Sequence, residues 1–216
     1  MAGAMPSPHA SYRAIAASAA TEGLGPRVPI EAVPMTYREY LALPEGVGYA
    51  LLDGLCFREP MPTVHHQIIA DNIAELLRHH ARSTRAGLAV GAIDIHLDAR
   101  NCPAPDVCFI SAARRNRLDH RGLHGIAPDL CVEVLSPSTA SRDRTQKAQL
   151  YARYGCREYW LVDPDRLTVE VLRVGGDGAF VPAGVYAPGE VFESVAVAGL
   201  CVQVREVFAA DAGADL

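Results

Sequence analysis

The most constraining feature of the chain is an apolar strand that is followed by a helix and then by a second apolar strand. The first run, Leu130–Leu135, is short and partly β-branched, which is typical of a buried strand. A Ser/Thr/Pro cluster then precedes a predicted helix over 142–154, which ends at Gly155, and a strand is predicted over 158–162. This unit indicates a crossover connection, and it favours an α/β (α+β) fold with a mixed β-sheet flanked by helices.

The first of these strands carries an acidic residue, Glu133, in the middle of its apolar run. An ionised carboxylate without a partner costs several kcal/mol to bury, even after the protein relaxes around it. Two interpretations remain open from the sequence. Either the strand lies at a sheet edge and Glu133 points to solvent, or Glu133 is buried beside a cation.

The rest of the chain alternates short helices, strands and hairpins. Thr36 is a candidate N-cap with Glu39 three residues later. In the strand 87–98, Ile93, Ile95 and Leu97 are predicted to face inward, whereas Asp94, His96 and Asp98 face outward. The other predicted elements are a helix over 35–46, a hairpin over 48–60 that turns at Asp53-Gly54, a helix over 63–81, a strand over 102–111, an irregular segment over 113–125 and C-terminal β-hairpins.

Length and composition indicate one large domain over 35–208, with a flexible N-terminal extension over 1–34 and a C-terminal tail over 209–216. No apolar stretch approaches the roughly 18 residues that span a bilayer, and the N-terminus does not resemble a signal peptide. The six cysteines form no CxxC pair and have mostly apolar neighbours, which predicts buried free thiols in a reducing cytoplasm. The formal net charge of −5 argues against avid binding of nucleic acid, although a local basic patch is compatible with it.

Three charged residues form a candidate site. Asp106 opens the strand over 102–111, Glu133 lies within the buried strand, and Lys147 lies on the following helix. If the two strands are adjacent, the carboxylates converge, and each resists ionisation unless a cation is present. Mg²⁺ binds carboxylate oxygens and phosphate oxygens together, and Lys147 could position a water molecule for attack on phosphorus.

Several motifs resemble those of the Uma2 family, formerly a domain of unknown function, within the PD-(D/E)xK nuclease-like superfamily. The resemblance runs from about Met35 to Phe208, roughly 80% of the chain. The matching stretches are Tyr49–Gly54, His66-Gln67, Ala104–Phe109, Pro128–Ser138, Arg142-Asp143-Arg144, Lys147, Tyr151–Gly155 and Glu158–Pro164.

The resemblance implies a restriction-endonuclease-like core with a Mg²⁺ (or Mn²⁺) site for DNA hydrolysis. It assigns Asp106, Glu133 and the main-chain carbonyl of Val134 to the metal. In the superfamily pattern the lysine follows the acid by two residues, but that position is Leu135 here, so the catalytic lysine is expected to be Lys147.

The resemblance also suggests accessory residues and a possible homodimer. His66 stands where the family tends to have histidine, and it is either a contact to metal, water or phosphate or a locally bonded helix residue. Arg142 and Arg144 belong to the one basic concentration, with Arg114, Arg115, Arg117 and Arg121, which either meets phosphates or is a solvated surface.

One departure from the family pattern concerns Ala50, because members of the family usually have glutamate after the tyrosine of Tyr49–Gly54. Asp53 cannot replace it, because positions 50 and 53 of a strand face opposite sides. The sequence therefore leaves two main hypotheses, a metal-dependent DNA phosphodiesterase or a catalytically degenerate binding or regulatory module. A structural dimerisation domain is a third.

Overall fold

The computed structural model describes residues 32–44 and 48–209. Most of the predicted N-terminal extension and C-terminal tail therefore lies outside the described residues. The chain divides into two compact units, a smaller one with the residues up to Met61 together with Asp98–Pro103, and a larger one with Pro62–Leu97 and the residues from Ala104 onward.

The smaller unit is a three-stranded antiparallel sheet with one short helix. Its strands lie in the order β1-β3-β2. Its elements are β1 (Val33–Pro34), α1 (Tyr37–Tyr40), β2 (Tyr49–Leu52) and β3 (Leu55–Arg58).

Both local predictions for the smaller unit are confirmed. Thr36 and Glu39 form a capping box, although α1 continues for only four residues. Asp53 and Gly54 join β2 to β3 with φ angles of 52° and 78°, so the two-residue turn has the left-handed backbone that Asp-Gly favours.

The larger unit contains a mixed six-stranded sheet. Its remaining elements are α2 (Val64–Thr84), β4 (Gly87–Gly91), β5 (Ile95–His96), β6 (Val107–Ser111), a 3₁₀ helix (Ala112–Arg117), β7 (Leu123–His124), β8 (Leu130–Val134), α3 (Ala140–Arg142), a π turn (Asp143–Lys147), α4 (Ala148–Arg153), β9 (Glu158–Asp163), β10 (Thr168–Val174), β11 (Phe180–Tyr186), β12 (Val191–Glu193), β13 (Cys201–Gln203) and α5 (Val204–Val207). The strand order is β11-β10-β9-β8-β6-β4, and β8 and β9 are the parallel pair. The predicted crossover between these two strands is confirmed, as is the α/β (α+β) fold with a mixed sheet and C-terminal hairpins.

The two faces of this sheet differ in chemistry because residues along a strand alternate sides. Leu130, Val132 and Val134 of β8 belong to the main core, which also contains Ile73 and Leu77 of α2. Glu133 therefore faces the opposite side, which the segment from α3 to α4 approaches through Lys147 and Tyr151.

Two predictions about exposure are wrong. His96 is 6% exposed rather than outward-facing, because its ring stacks on His124 at 4.6 Å and its Nε2 atom bonds the carbonyl of Arg121. Five cysteines are buried and free as predicted, but Cys201 on the short strand β13 is exposed.

Candidate active site

The structure brings Asp106 beside the strand that carries Glu133. Strands β6 and β8 are adjacent and antiparallel, and their register ends with Val107 opposite Val132, so Asp106 directly precedes the paired part of β6. The Asp106 carboxylate is fixed there, because its Oδ2 atom accepts a hydrogen bond of 2.7 Å from the Val134 amide.

Glu133 is buried and paired, so the interpretation of an edge residue pointing to solvent is wrong. Strand β8 lies inside the sheet between β6 and β9, and Glu133 is 2% exposed. Its Oε2 atom accepts from the Lys147 ammonium at 2.9 Å, and its Oε1 atom accepts from the Tyr151 hydroxyl at 2.9 Å. The side chain that balances Glu133 is thus the predicted lysine on the following helix.

Lys147 also forms an ion pair with Asp143, whose Oδ1 atom lies 3.0 Å from the lysine Nζ. Both residues belong to the π turn, a local widening of the helix that is frequent at functional sites. One buried ammonium therefore lies between two buried carboxylates. Glu133, Lys147 and Asp143 together form a charge triad with one more negative than positive group.

This excess of negative charge affects Glu133. Burial raises the pKa of its carboxyl well above the ordinary value, and Lys147 works against that rise. The charges of Asp143 and Asp106 raise the pKa further. The site thus holds Glu133 in surroundings that favour additional positive charge.

His66 completes the exposed end of the site. It lies in the first turn of α2, where the Thr63 side chain accepts a hydrogen bond from the His66 amide. Its Nε2 atom is 3.3 Å from Asp106 Oδ2. Burial acts to lower the pKa of His66, but the hydrogen bond and charge of Asp106, the Val134 backbone and the charge of Asp143 together raise it.

We expect an NMR titration of the metal-free protein to show this raised pKa for His66, with signals assigned from His66→Gln. Replacing Asp106 with asparagine removes the main raising influence, so the pKa of His66 should fall in Asp106→Asn. Because a raised histidine pKa stabilises the fold below the unfolded value and the effect is lost as pH rises through the folded pKa, Asp106→Asn should cost most stability on the acidic side.

Asp71→Asn is the matched control. Asp71 lies on the same helix as His66, and its carboxylate accepts a hydrogen bond from the Gln67 side chain. An unchanged His66 titration in Asp106→Asn would contradict the assigned pairing.

The arginines play different parts. Arg144 on the π turn is exposed and pairs with Glu170, and Arg142 is half-buried. In the loop, Arg114 donates to the carbonyls of Ala127 and Gly155, and Arg117 donates to the carbonyl of His124. Arg114 and Arg117 therefore hydrogen-bond to backbone carbonyls of other segments rather than forming an open phosphate-binding surface.

The donor set of the site fits a hard divalent cation. Asp106, which bonds the Val134 amide, and Glu133, the residue before Val134, both offer carboxylate oxygens. Such oxygens, together with main-chain carbonyls, are what Mg²⁺ and Mn²⁺ prefer. Among the described residues no helix is long and apolar enough to cross a membrane.

Sequence reasoning assigned no role to Asp143 and Tyr151, which complete the surroundings of Glu133 and Lys147. A signal was available, because Lys147 is the only lysine among the 20 lysines and arginines of the chain. A chain that otherwise uses arginine throughout retains lysine at the one position where a compact ammonium contacts two buried carboxylates.

The fold has a known counterpart. A crystal structure of a "putative nuclease belonging to DUF820" from Anabaena variabilis is similar, with a TM-score of 0.69 and 23% sequence identity over 81% of this chain and 98% of that chain. The chain thus shares the fold of that protein. A comparison with curated proteins gave no match.

The family follows from the sequence match. The Uma2 family, described as "Putative restriction endonuclease", matches residues 37–205. The chain belongs to the Uma2 family. The match includes Asp106, Glu133, Lys147 and His66, and it agrees with the family indicated by the sequence motifs.

Proposed function

We propose that this protein is a Mg²⁺-dependent or Mn²⁺-dependent endonuclease that hydrolyses phosphodiester bonds of DNA. The observation that carries the proposal is a cluster of charged side chains at β8. The Asp106 carboxylate accepts from the Val134 amide, and the only lysine of the chain lies 2.9 Å from Glu133. Membership of a family described as "Putative restriction endonuclease" supports the same class of reaction.

In this proposal Asp106, Glu133 and the main-chain carbonyl of Val134 hold the cation. The cation supplies positive charge that stabilises the phosphate as negative charge develops on it. Lys147 positions the attacking water and stabilises the negative charge that develops, and Tyr151 and the Val134 amide keep the two carboxylates oriented. His66 keeps the Asp106 carboxylate in place and lies where it can contact a phosphate oxygen.

Arg142 and Arg144 are proposed as accessory contacts to the DNA backbone. They lie on the segment that carries Lys147, and Arg144 is exposed. Since the net charge of the chain is −5, we propose that such local contacts, rather than the overall field, attract the substrate.

A second candidate function is a degenerate nuclease that binds or regulates without cleaving. The observation that favours it is Ala50, a fully buried alanine where the family usually has glutamate. In this case the charge triad would be retained because the fold requires it.

The test of the proposed function is a calorimetric titration of Mn²⁺ and Mg²⁺ into wild type, Asp106→Asn and Asp71→Asn, with plasmid cleavage measured on the same samples. We expect metal binding and cleavage in wild type and in Asp71→Asn, and loss of both in Asp106→Asn. Asp106 is chosen because its side chain is 26% exposed, so replacing its carboxylate with the amide of asparagine should leave the fold intact.

Two other outcomes would contradict the proposed endonuclease. Metal binding without cleavage in the wild type would support the degenerate nuclease. No binding at millimolar metal would overturn the proposed site.

We further propose a cytoplasmic protein that forms a homodimer. Five buried free thiols suit a reducing compartment. Strand β11 lies at the sheet edge and exposes Val181 and Val185, which a second copy would cover. A monomer mass by light scattering at micromolar concentration would contradict the dimer.

A further inference from the structure

We infer that Asp143 is a positioning residue, which holds the ammonium of Lys147 beside Glu133 for the proposed hydrolysis. The inference rests on the proposed function, and it gives a role to Asp143, which lay within a matching stretch of the sequence but was not among the predicted site residues. It concerns how a flexible side chain is kept at one position in the site.

The contacts fix the ammonium from two sides. Lys147 Nζ lies 2.9 Å from Glu133 Oε2 and 3.0 Å from Asp143 Oδ1. The side chains are 4%, 3% and 1% exposed in the order Lys147, Glu133, Asp143, so water screens these contacts little. A lysine side chain on its flexible four-carbon stem would otherwise explore several rotamers.

The backbone of Asp143 is anchored separately from its carboxylate. Its amide donates to the Thr139 carbonyl at 3.0 Å, and its carbonyl accepts from the buried Tyr159 hydroxyl at 3.0 Å. Tyr159 belongs to β9, so the first residue of the π turn is tied to the sheet. The position of residue 143 therefore does not depend on the ion pair, and its carboxylate is available to hold Lys147.

The contact between the two side chains depends on charge rather than on a directed hydrogen bond. Asp143 Oδ1 has no hydrogen-bond partner of acceptable geometry, although Lys147 Nζ is 3.0 Å away. An asparagine at position 143 keeps the size of the side chain but loses that charge. Asp143→Asn thus removes the positioning effect while leaving the backbone contacts in place.

The experiment uses protein labelled with ¹³Cε and ¹⁵Nζ lysine, which reports Lys147 alone because the chain contains no other lysine. Wild type should give two distinct ε-methylene proton signals and slowly exchanging ammonium protons. In Asp143→Asn we expect the two signals to merge and ammonium exchange to rise about tenfold or more, as for a group released from a protected state. Asp177→Asn, in which a turn aspartate that accepts from the Ala179 amide is changed in the same way, should match wild type.

Cleavage kinetics provide the functional part of the same test. Asp143→Asn should lower kcat about 100-fold, the scale expected for a misplaced catalytic group, while KM and the Mn²⁺ dissociation constant stay within twofold of wild type, about the scatter of such measurements. If Asp143→Asn changes the melting temperature but leaves the Lys147 signals and kcat unchanged, Asp143 has a structural role only and the inference is overturned.

The outcomes also distinguish this inference from the proposed function. If wild type does not cleave DNA, the proposed function fails, and the lysine signals still decide whether Asp143 fixes Lys147. If Asp143→Asn does not fold, Asp143→Glu replaces it, because it keeps the charge but moves the carboxylate away from its place beside Lys147 Nζ. Lys147 signals and kcat equal to those of wild type in Asp143→Glu would overturn the inference.

Discussion

Replacing Lys147 with methionine is expected to lower the free energy of unfolding by about 3–5 kcal/mol at neutral pH, because it leaves two buried carboxylates without their cation. Glu133 and Asp143 are 2% and 1% exposed, so neither can recover its hydration where it lies. Methionine fills a similar volume, which keeps the lost packing small. Chemical denaturation in EDTA measures the change.

The loss of unfolding free energy in Lys147→Met should become smaller as the pH falls. The pKa of Glu133 is raised by burial, so its protonation stabilises the fold below the ordinary value of 4.5, and this contribution is lost as pH rises through the folded pKa. Without Lys147 the folded pKa of Glu133 rises further, because the lysine charge lowers it in wild type. The stability of Lys147→Met should therefore approach that of wild type as the pH falls.

Arg144→Met is the matched control for this prediction. It also removes a cation of the π turn that pairs with a glutamate, but the Arg144 and Glu170 side chains are 40% and 23% exposed. Exposed pairs contribute about 0–1 kcal/mol. Equal losses in the two variants would contradict the view that burial sets the strength of the charge triad.

Much of the fold followed from local patterns. The apolar run of β8, the helix after it and Gly155 defined the crossover, because each signal concerns neighbouring residues. Gly155 has φ 86°, which is the left-handed backbone that glycine favours after a helix. The Asp53-Gly54 turn was predictable for the same kind of reason.

The predictions that failed concern contacts between distant segments. The alternation of residues along 87–98 predicted that His96 faces outward. In the structure, the parallel pairing of β5 with β7 brings the His124 ring onto the His96 ring. The π turn could not be predicted, because its sequence has ordinary helix-forming residues. The partnership of Asp143 with Lys147 depends on that turn and on the burial of both side chains.

The sequence pointed to a site residue only where a charged side chain stood in a pattern that predicts burial. Glu133 stood out because an apolar strand gives no reason for a carboxylate. Lys147 was a candidate because it lies on the helix that follows Glu133, and the resemblance then assigned it the role of the catalytic lysine. Tyr151 had no such signal, because a tyrosine in an amphipathic helix is ordinary. Its hydroxyl became part of the site only through the packing of α4 over β8.

Replacing Glu133 with glutamine is expected to change the stability of the protein little, in contrast to Lys147→Met. The remaining pair of Lys147 and Asp143 is neutral, and glutamine can still bond the Tyr151 hydroxyl. Since burial disfavours the ionised form of Glu133, we expect the free energy of unfolding to change by at most about 1 kcal/mol, the scale of one neutral hydrogen bond. Stability alone would not require a carboxylate at this position.

The same substitution should remove the proposed activity. Glu133→Gln takes away one of the two proposed acidic cation ligands, so we expect Mn²⁺ binding to be lost and kcat for plasmid cleavage to fall about 10²–10³-fold, as when a preorganised charge-stabilising group is removed. Denaturation, calorimetry and cleavage on one preparation separate the two effects. A stable Glu133→Gln protein that still binds metal and cleaves DNA would rule out Glu133 as a cation ligand, whereas a stable and inactive one would show that the buried carboxylate is retained for function at the expense of stability.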